Sequence, residues 1–366
     1  MSTLKRLIAP LLTLLLLAGV GTALYQSIRE QWAGAATVEG LIGSEKEEFF
    51  RDPRVMAVFK KHGLEVRAHK AGSREIATRR DLRQFDFAFP AGLPAAEKIR
   101  REQGLDKSFQ VFFTPMAIAS WRSIARILEA NGVVQQRAGA YYTVDLAKLL
   151  SLCEQKKRWN ELPHNEGYAV NKSILVTTTD PRSSNSAAMF LALASFLFNG
   201  NEIPTTEAQV DPLVPRLAAL FSRQGFQESS TATPFNDYLV MGPGKAPLVL
   251  IYEAQYLHEA ARPDSGLSDE MVLLYPEPTL FTKHVLVPFS GAGERLGELL
   301  TQDPELQKLA VAHGFRTSDG KTFRAFVAEH RLAVPETLVN VIEPPSYEIL
   351  ERLTQRIEQT LAGGAP

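Results

Sequence analysis

Strand-like and helix-like hydrophobic patterns alternate along most of this chain. Leu64-Glu65-Val66-Arg67-Ala68-His69 is apolar at every second position, the period of a half-buried strand. Apolar runs bounded by turn residues predict further strands over 37–43, 85–89, 109–115, 247–252, 272–278 and 283–288, with Glu253 to Leu257 continuing the fourth of these. A short β-rich segment, Ser173-Ile174-Leu175-Val176, predicts one more. Helical spacing lies between the strands. It runs over 45–61, with Phe49, Phe50, Val55, Val58 and Phe59 on the apolar side and a break at Asp52-Pro53. It returns over 143–157, 189–198, 210–225, 293–313 and 347–361, while 117–130 reads as mixed structure. Such alternation predicts an α/β fold.

The N-terminus breaks this pattern. Lys5 and Arg6 precede 22 uncharged residues, Leu7 to Ile28, centred on a leucine run. A basic start before an apolar stretch is the pattern of an export signal, and about 20 apolar residues also suffice to span a bilayer. Gly21-Thr22-Ala23 offers an imperfect cleavage site, so the reading leans to a retained anchor. The positive-inside rule then puts the rest of the chain on the extracytoplasmic face.

The 366 residues carry 40 Lys plus Arg against 41 Asp plus Glu. This near balance gives no basic footprint for nucleic acid. A single cysteine, Cys153, excludes an intrachain disulfide and any cysteine-based zinc site. Enzyme signatures are absent. His258-Glu259-Ala260-Ala261-Arg262 lacks the second histidine of a zinc helix, no G-x-S-x-G elbow occurs, and Gly242-Pro243-Gly244-Lys245 lacks the phosphate-loop frame. A Ser- or Cys153-dependent hydrolase is the weakest alternative. No cofactor and no metal is expected.

The candidate chemistry lies in three loops that place a small hydroxyl residue before a helix: Gly43-Ser44-Glu45-Lys46, Ala71-Gly72-Ser73-Arg74 and Arg182-Ser183-Ser184-Asn185-Ser186. First-turn amides lack intrahelical acceptors and favour negative charge. The same serines also suit plain helix capping, and Ser44 with Glu47 has capping-box spacing. If the loops converge, they offer hydroxyls, amides and nearby Lys46, Arg74 and Arg182. Glu45, Glu75 and Asp180 temper any strong positive potential, which leaves a neutral or zwitterionic ligand open.

Taken in order, these elements resemble a type II periplasmic solute-binding protein of the molybdate- and sulfate-binding class, in a membrane-tethered variant. The likeness covers roughly Ala36 to Arg316. Ser44 and Ser73 match that class's ligand serines. Val111 to Trp121 resembles its first interlobe crossing, Ser173 to Ser186 its second-lobe strand and binding loop, and Leu248 to Glu253 the strand bearing a ligand-facing residue. Leu273-Leu274-Tyr275-Pro276 resembles the return crossing. The resemblance implies an α/β two-lobed fold with an N-terminal hydrophobic helix and a C-terminal helical tail. Residues 1–36 would be signal or anchor plus linker, 37–113 and 279–316 one lobe, 114–278 the other, and 317–366 an extension. It implies ligand-binding roles for Ser44, Lys46, Ser73, Arg74, Ser183, Ser184, Asn185, Ser186 and Tyr252. The ligand would be an oxyanion or another small polar solute, and the partner a transporter permease or other membrane protein. The alternative is an interaction or sensor module that keeps the fold and binds no small ligand. Departures from the class include Glu45-Lys46 in the first loop and Asp180 with Arg182 in the third.

Overall fold

The structure is a computed structural model and describes residues 35–137, 141–225 and 227–362. In one half, β1 (Ala36–Ile42) lies between parallel β2 (Leu64–Lys70) and β3 (Phe87–Phe89), and β9 (Phe281–Pro288) adds antiparallel to β3. The strand β4 (Phe109–Trp121) joins this half to the other. Its residues Phe109 to Pro115 pair with β9. Its residues Met116 to Trp121 pair with β7 (Val249–Tyr252) and β8 (Met271–Glu277). Beyond β8 come β6 (Tyr141–Asp145), parallel to it, and β5 (Val134–Arg137) at the edge. One unbroken strand thus enters both lobes, and the short link from β8 to β9 makes the return crossing.

Helices cover both faces of the first lobe's sheet. Here α1 (Glu47–Arg51) and α2 (Pro53–Lys61) follow β1, α3 (Ser73–Thr78) follows β2, and α4 (Leu93–Glu102) follows β3. Asp52 caps α2, accepting from the Arg54 amide at 2.8 Å, so Pro53 starts a new helix instead of merely ending one. In the second lobe, α5 (Arg122–Ala130), α6 (Leu146–Glu154), α7 (Asn185–Phe198), α8 (Glu207–Val210), α9 (Val214–Ser222) and α10 (Ala232–Met241) surround the sheet, and α11 (Glu253–Ala261) follows β7. Helix α7 is apolar around its circumference and buried throughout from Met189 to Ser195, as an all-apolar helix must be. After β9 come α12 (Gly291–Gln302), α13 (Pro304–Ala312), α14 (Gly320–Glu329) and α15 (Tyr347–Ala362).

Helix α15 touches both lobes. Its Leu353 and Ile357 sit in the second lobe's core. Arg352 and Arg356 pair with Glu207 at 2.9 Å and Asp211 at 3.2 Å on that side. On the first lobe, Glu351 takes Arg74, Glu348 pairs with Arg101, and the Tyr347 ring lies under the Lys98 ammonium.

Several expected boundaries move. The 117–130 segment divides into the end of β4 and α5. Residues 143–145 are strand, which suits β-branched Thr143 and Val144, and Asp145 caps α6 by accepting from the Lys148 amide at 3.0 Å. Residues 253–257 begin α11 and do not extend β7. Residues 173–176 form no regular strand; Ser173 makes one bridge to Arg158, and Thr177 one to Val249. The 293–313 helix is two helices, because Asp303 caps α13 and Pro304 cannot continue α12. The expected N-terminal anchor lies outside the described residues. Among the described residues no helix is long and apolar enough to cross a membrane.

Candidate functional site: the cleft between the lobes

The loops after β1 and β2 meet the loop before α7 where the two lobes face each other. Two glycines set the closeness of this contact. A Cβ on Gly72 would lie 2.8 Å from the Ser183 carbonyl oxygen. Gly92, at φ +95°, would place one 2.6 Å from the Asn185 side-chain oxygen. The Arg74 guanidinium crosses the same gap and donates to the Arg182 carbonyl at 2.9 Å.

A cavity of about 630 Å³ opens beside this contact. From the first lobe it is lined by Ser44, Lys70, Gly72, Arg74, Glu75 and Thr78, and from the second by Arg182, Ser183, Ser229 and Ser230. The Ser44 and Ser230 hydroxyls stand 3.4 Å apart across it. A second, much smaller space of about 40 Å³ lies on the other side of Arg74, between Ser73, Ser184, Asn185 and helix α15.

The predicted residues therefore divide. Ser44, Arg74 and Ser183 line the larger cavity. Ser44 makes no capping bond, and Gly43 stands at the start of its helical turn. Ser73 is the first residue of α3, not its cap, and its Oγ accepts from the Ala91 amide at 2.9 Å, bracing the loop from within. The Ser184 and Ser186 hydroxyls bond each other at 2.9 Å, and Ser186 bonds Thr179 at 2.7 Å. The Asn185 amide donates to the Tyr252 hydroxyl at 3.1 Å. Burial pushes the Tyr252 phenol well above its ordinary range, so it stays protonated and uncharged.

Lys46 turns inward. It is fully buried, pairs with the Glu45 carboxylate, stands 3.1 Å from His284 Nδ1, and lies 4.7 Å from the Phe89 ring centre. Burial draws the Lys46 ammonium below its usual range, and Glu45 opposes that. For Glu45, burial acts upward, but the Lys46 charge and the His284 hydrogen bond outweigh it and hold the carboxyl at about 2. Burial, then the neighbouring ammonium, brings His284 down to about 4. At neutral pH this floor holds one ion pair and a neutral imidazole.

Arg74 is also engaged. Its Nε and a terminal nitrogen meet the two Glu351 oxygens at 2.8 and 2.5 Å, a bidentate grip. Hydrogen bonding to Arg74 holds Glu351 below the usual carboxylate range. Arg182 is bound in the same way by Asp180, its Nε reaching Oδ1 at 2.9 Å and a terminal nitrogen Oδ2 at 2.5 Å.

Sequence reasoning missed four participants. Ser229 and Ser230 precede α10 in the same hydroxyl-before-helix design as the other loops, and that pattern could have found them. Glu351 and His284 carry no local signal, because they lie far along the chain from the residues they hold. Cys153 stands apart from the cleft residues: it is buried, and burial pushes its thiol up to about 12.

No family model and no curated protein matches this chain. Solved structures do. A sulfate-binding protein from Mycobacterium tuberculosis H37Rv aligns over 86% of this chain and 96% of its own, at 15% identity and a TM-score of 0.51. The substrate-binding protein of an ABC transporter from Agrobacterium tumefaciens aligns over 90% and 95%, at 13% identity and a TM-score of 0.55. This chain has the fold of the type II periplasmic solute-binding proteins. A solute-binding protein of an ABC transporter from Thermotoga lettingae, solved with α-D-tagatose, gives the same TM-score of 0.55 at 12% identity, over 90% of this chain and 95% of its own. These neighbours are binding proteins, not enzymes, and their solutes differ widely.

Proposed function

We propose that this protein captures a small polar solute in the interlobe cleft and presents it to a membrane transport partner. The observation that carries this reading is the cavity of about 630 Å³ lined by hydroxyls from both lobes, at the place where the lobes touch. Its size falls within the range of about 300–1,000 Å³ typical of small-molecule sites. Both an oxyanion and an uncharged polar molecule suit hydroxyls and free amides. The basic, apolar N-terminal sequence supports export, with retention at the membrane through residues 7–28, and so an extracytoplasmic site and a permease as partner.

Native mass spectrometry of protein purified from its source tests the reading. A bound small molecule is expected on the wild-type chain and lost from a Ser230→Trp variant, whose indole fills the cavity. A second reading, an interaction module that binds no solute, draws support from helix α15, which covers one flank of the cleft and occupies Arg74. Under that reading both proteins show the bare mass.

A further inference from the structure

We infer that the solute is uncharged and rich in hydroxyls, a sugar or polyol, and not an inorganic or organic ion. This inference rests on the capture reading and names the chemical class of solute at the same site.

Every cationic side chain lining the cavity is already paired within the protein. Lys70 holds Glu47 at 2.8 Å. Arg74 holds Glu351 bidentately, and Arg182 holds Asp180. Glu75 lies 4.0 Å from Arg79, whose close partner is Asp81 at 2.7 Å. In the buried cluster next along the chain from Ser44, Lys46 is likewise spent on Glu45. An anion seeking Arg74 must displace a carboxylate that is part of the same chain and is presented at high effective concentration. It would also leave the half-buried Glu351 without its counter-charge, a costly exchange. A cation finds one carboxylate in the lining, the largely exposed Glu75, and a single solvated charge holds a cation weakly.

Hydroxyls are what remains. Thr78 donates to the Arg74 and Glu75 carbonyls of its own helix, but Ser183 and Ser229 line the space beside Ser44 and Ser230, which share only a long 3.4 Å contact, and a serine hydroxyl both donates and accepts. That dual capacity matches a partner made of hydroxyls and is poorly used by an acceptor-only oxyanion. No aromatic side chain is among the lining residues, so recognition is by hydrogen bonds, without ring stacking.

The test is thermal unfolding and calorimetry on the full chain with two probe sets. One is a panel of uncharged mono- and disaccharides and linear polyols. The other is sodium sulfate and sodium phosphate, each against sodium chloride of equal ionic strength. At about 100-fold excess over Kd, a neutral solute is expected to raise Tm by about 5 °C, with an affinity that does not change as salt rises. Sulfate and phosphate are expected to match chloride on the wild type and to exceed it on Glu351→Gln, which frees Arg74. A sulfate or phosphate response by the wild type overturns the inference and leaves capture standing. A Glu351→Gln variant indifferent to both anions also counts against it. If neither set moves the wild type, capture itself fails, and the solute class with it.

Discussion

Gly72 can take no side chain while the lobes touch. Its backbone, at φ −66° and ψ 144°, is one that any residue adopts, so the only obstacle to alanine is the Ser183 carbonyl 2.8 Å away. Gly72→Ala is therefore expected to leave each lobe folded and to disfavour the closed form. The radius of gyration from solution scattering should rise, and solute affinity should fall about tenfold, equivalent to about 1.4 kcal/mol. The buried floor gives a second expectation. His284 titrates near 4, below its unfolded value of 6.5. The unfolded chain then binds more protons, and stability drops as pH falls from 6.5 to 4. Glu45, held at about 2 against 4.5, extends the loss below pH 4.5. Urea melts across this range should show a falling midpoint, with a shallower slope above pH 4.5 in His284→Asn. The serine loops were legible in the sequence because capping and ligand chemistry use the same short pattern. The floor was not: Lys46 and His284 are 238 residues apart, and no local pattern encodes their meeting.

At the scale of elements, β4 and α15 hold the lobes in register. Sequence reasoning ended β4 at Pro115, because Met116 to Ser120 is small, apolar and without alternation. The structure explains this: that stretch lies in the sheet centre between β7 and β8, with both faces buried, and so has no polar side to display. The tail helix was legible as a helix from its apolar spacing, but its span across both lobes was not, since its partners come from distant segments. Its grip on the first lobe is mainly by charge, and its grip on the second adds buried packing to two ion pairs. Glu348→Gln with Glu351→Gln is expected to release only the first-lobe side, giving faster amide exchange in α3 and α4 and a small loss of stability, about 1 kcal/mol. Leu353→Ala, at a fully buried site, should instead cost about 2–5 kcal/mol by urea melt and loosen the helix from the second lobe.

For the whole molecule, the order of strands and helices carried the fold class in the sequence, since a chain that crosses between lobes and returns leaves that order in its hydrophobic pattern. Solute class was not carried by the loops alone. Glu45 and Asp180 stand beside Lys46 and Arg182 in the sequence, but only the assembled molecule spends Arg74 on a carboxylate 277 residues away. The feature with the widest reach is helix α15 lying along one flank of the cleft. Its ion pairs reach Arg74 and Arg101 on one side and Glu207 and Asp211 on the other. The lobes therefore cannot part at that flank without breaking one of these two sets, and the tail sets how far they stand apart at rest.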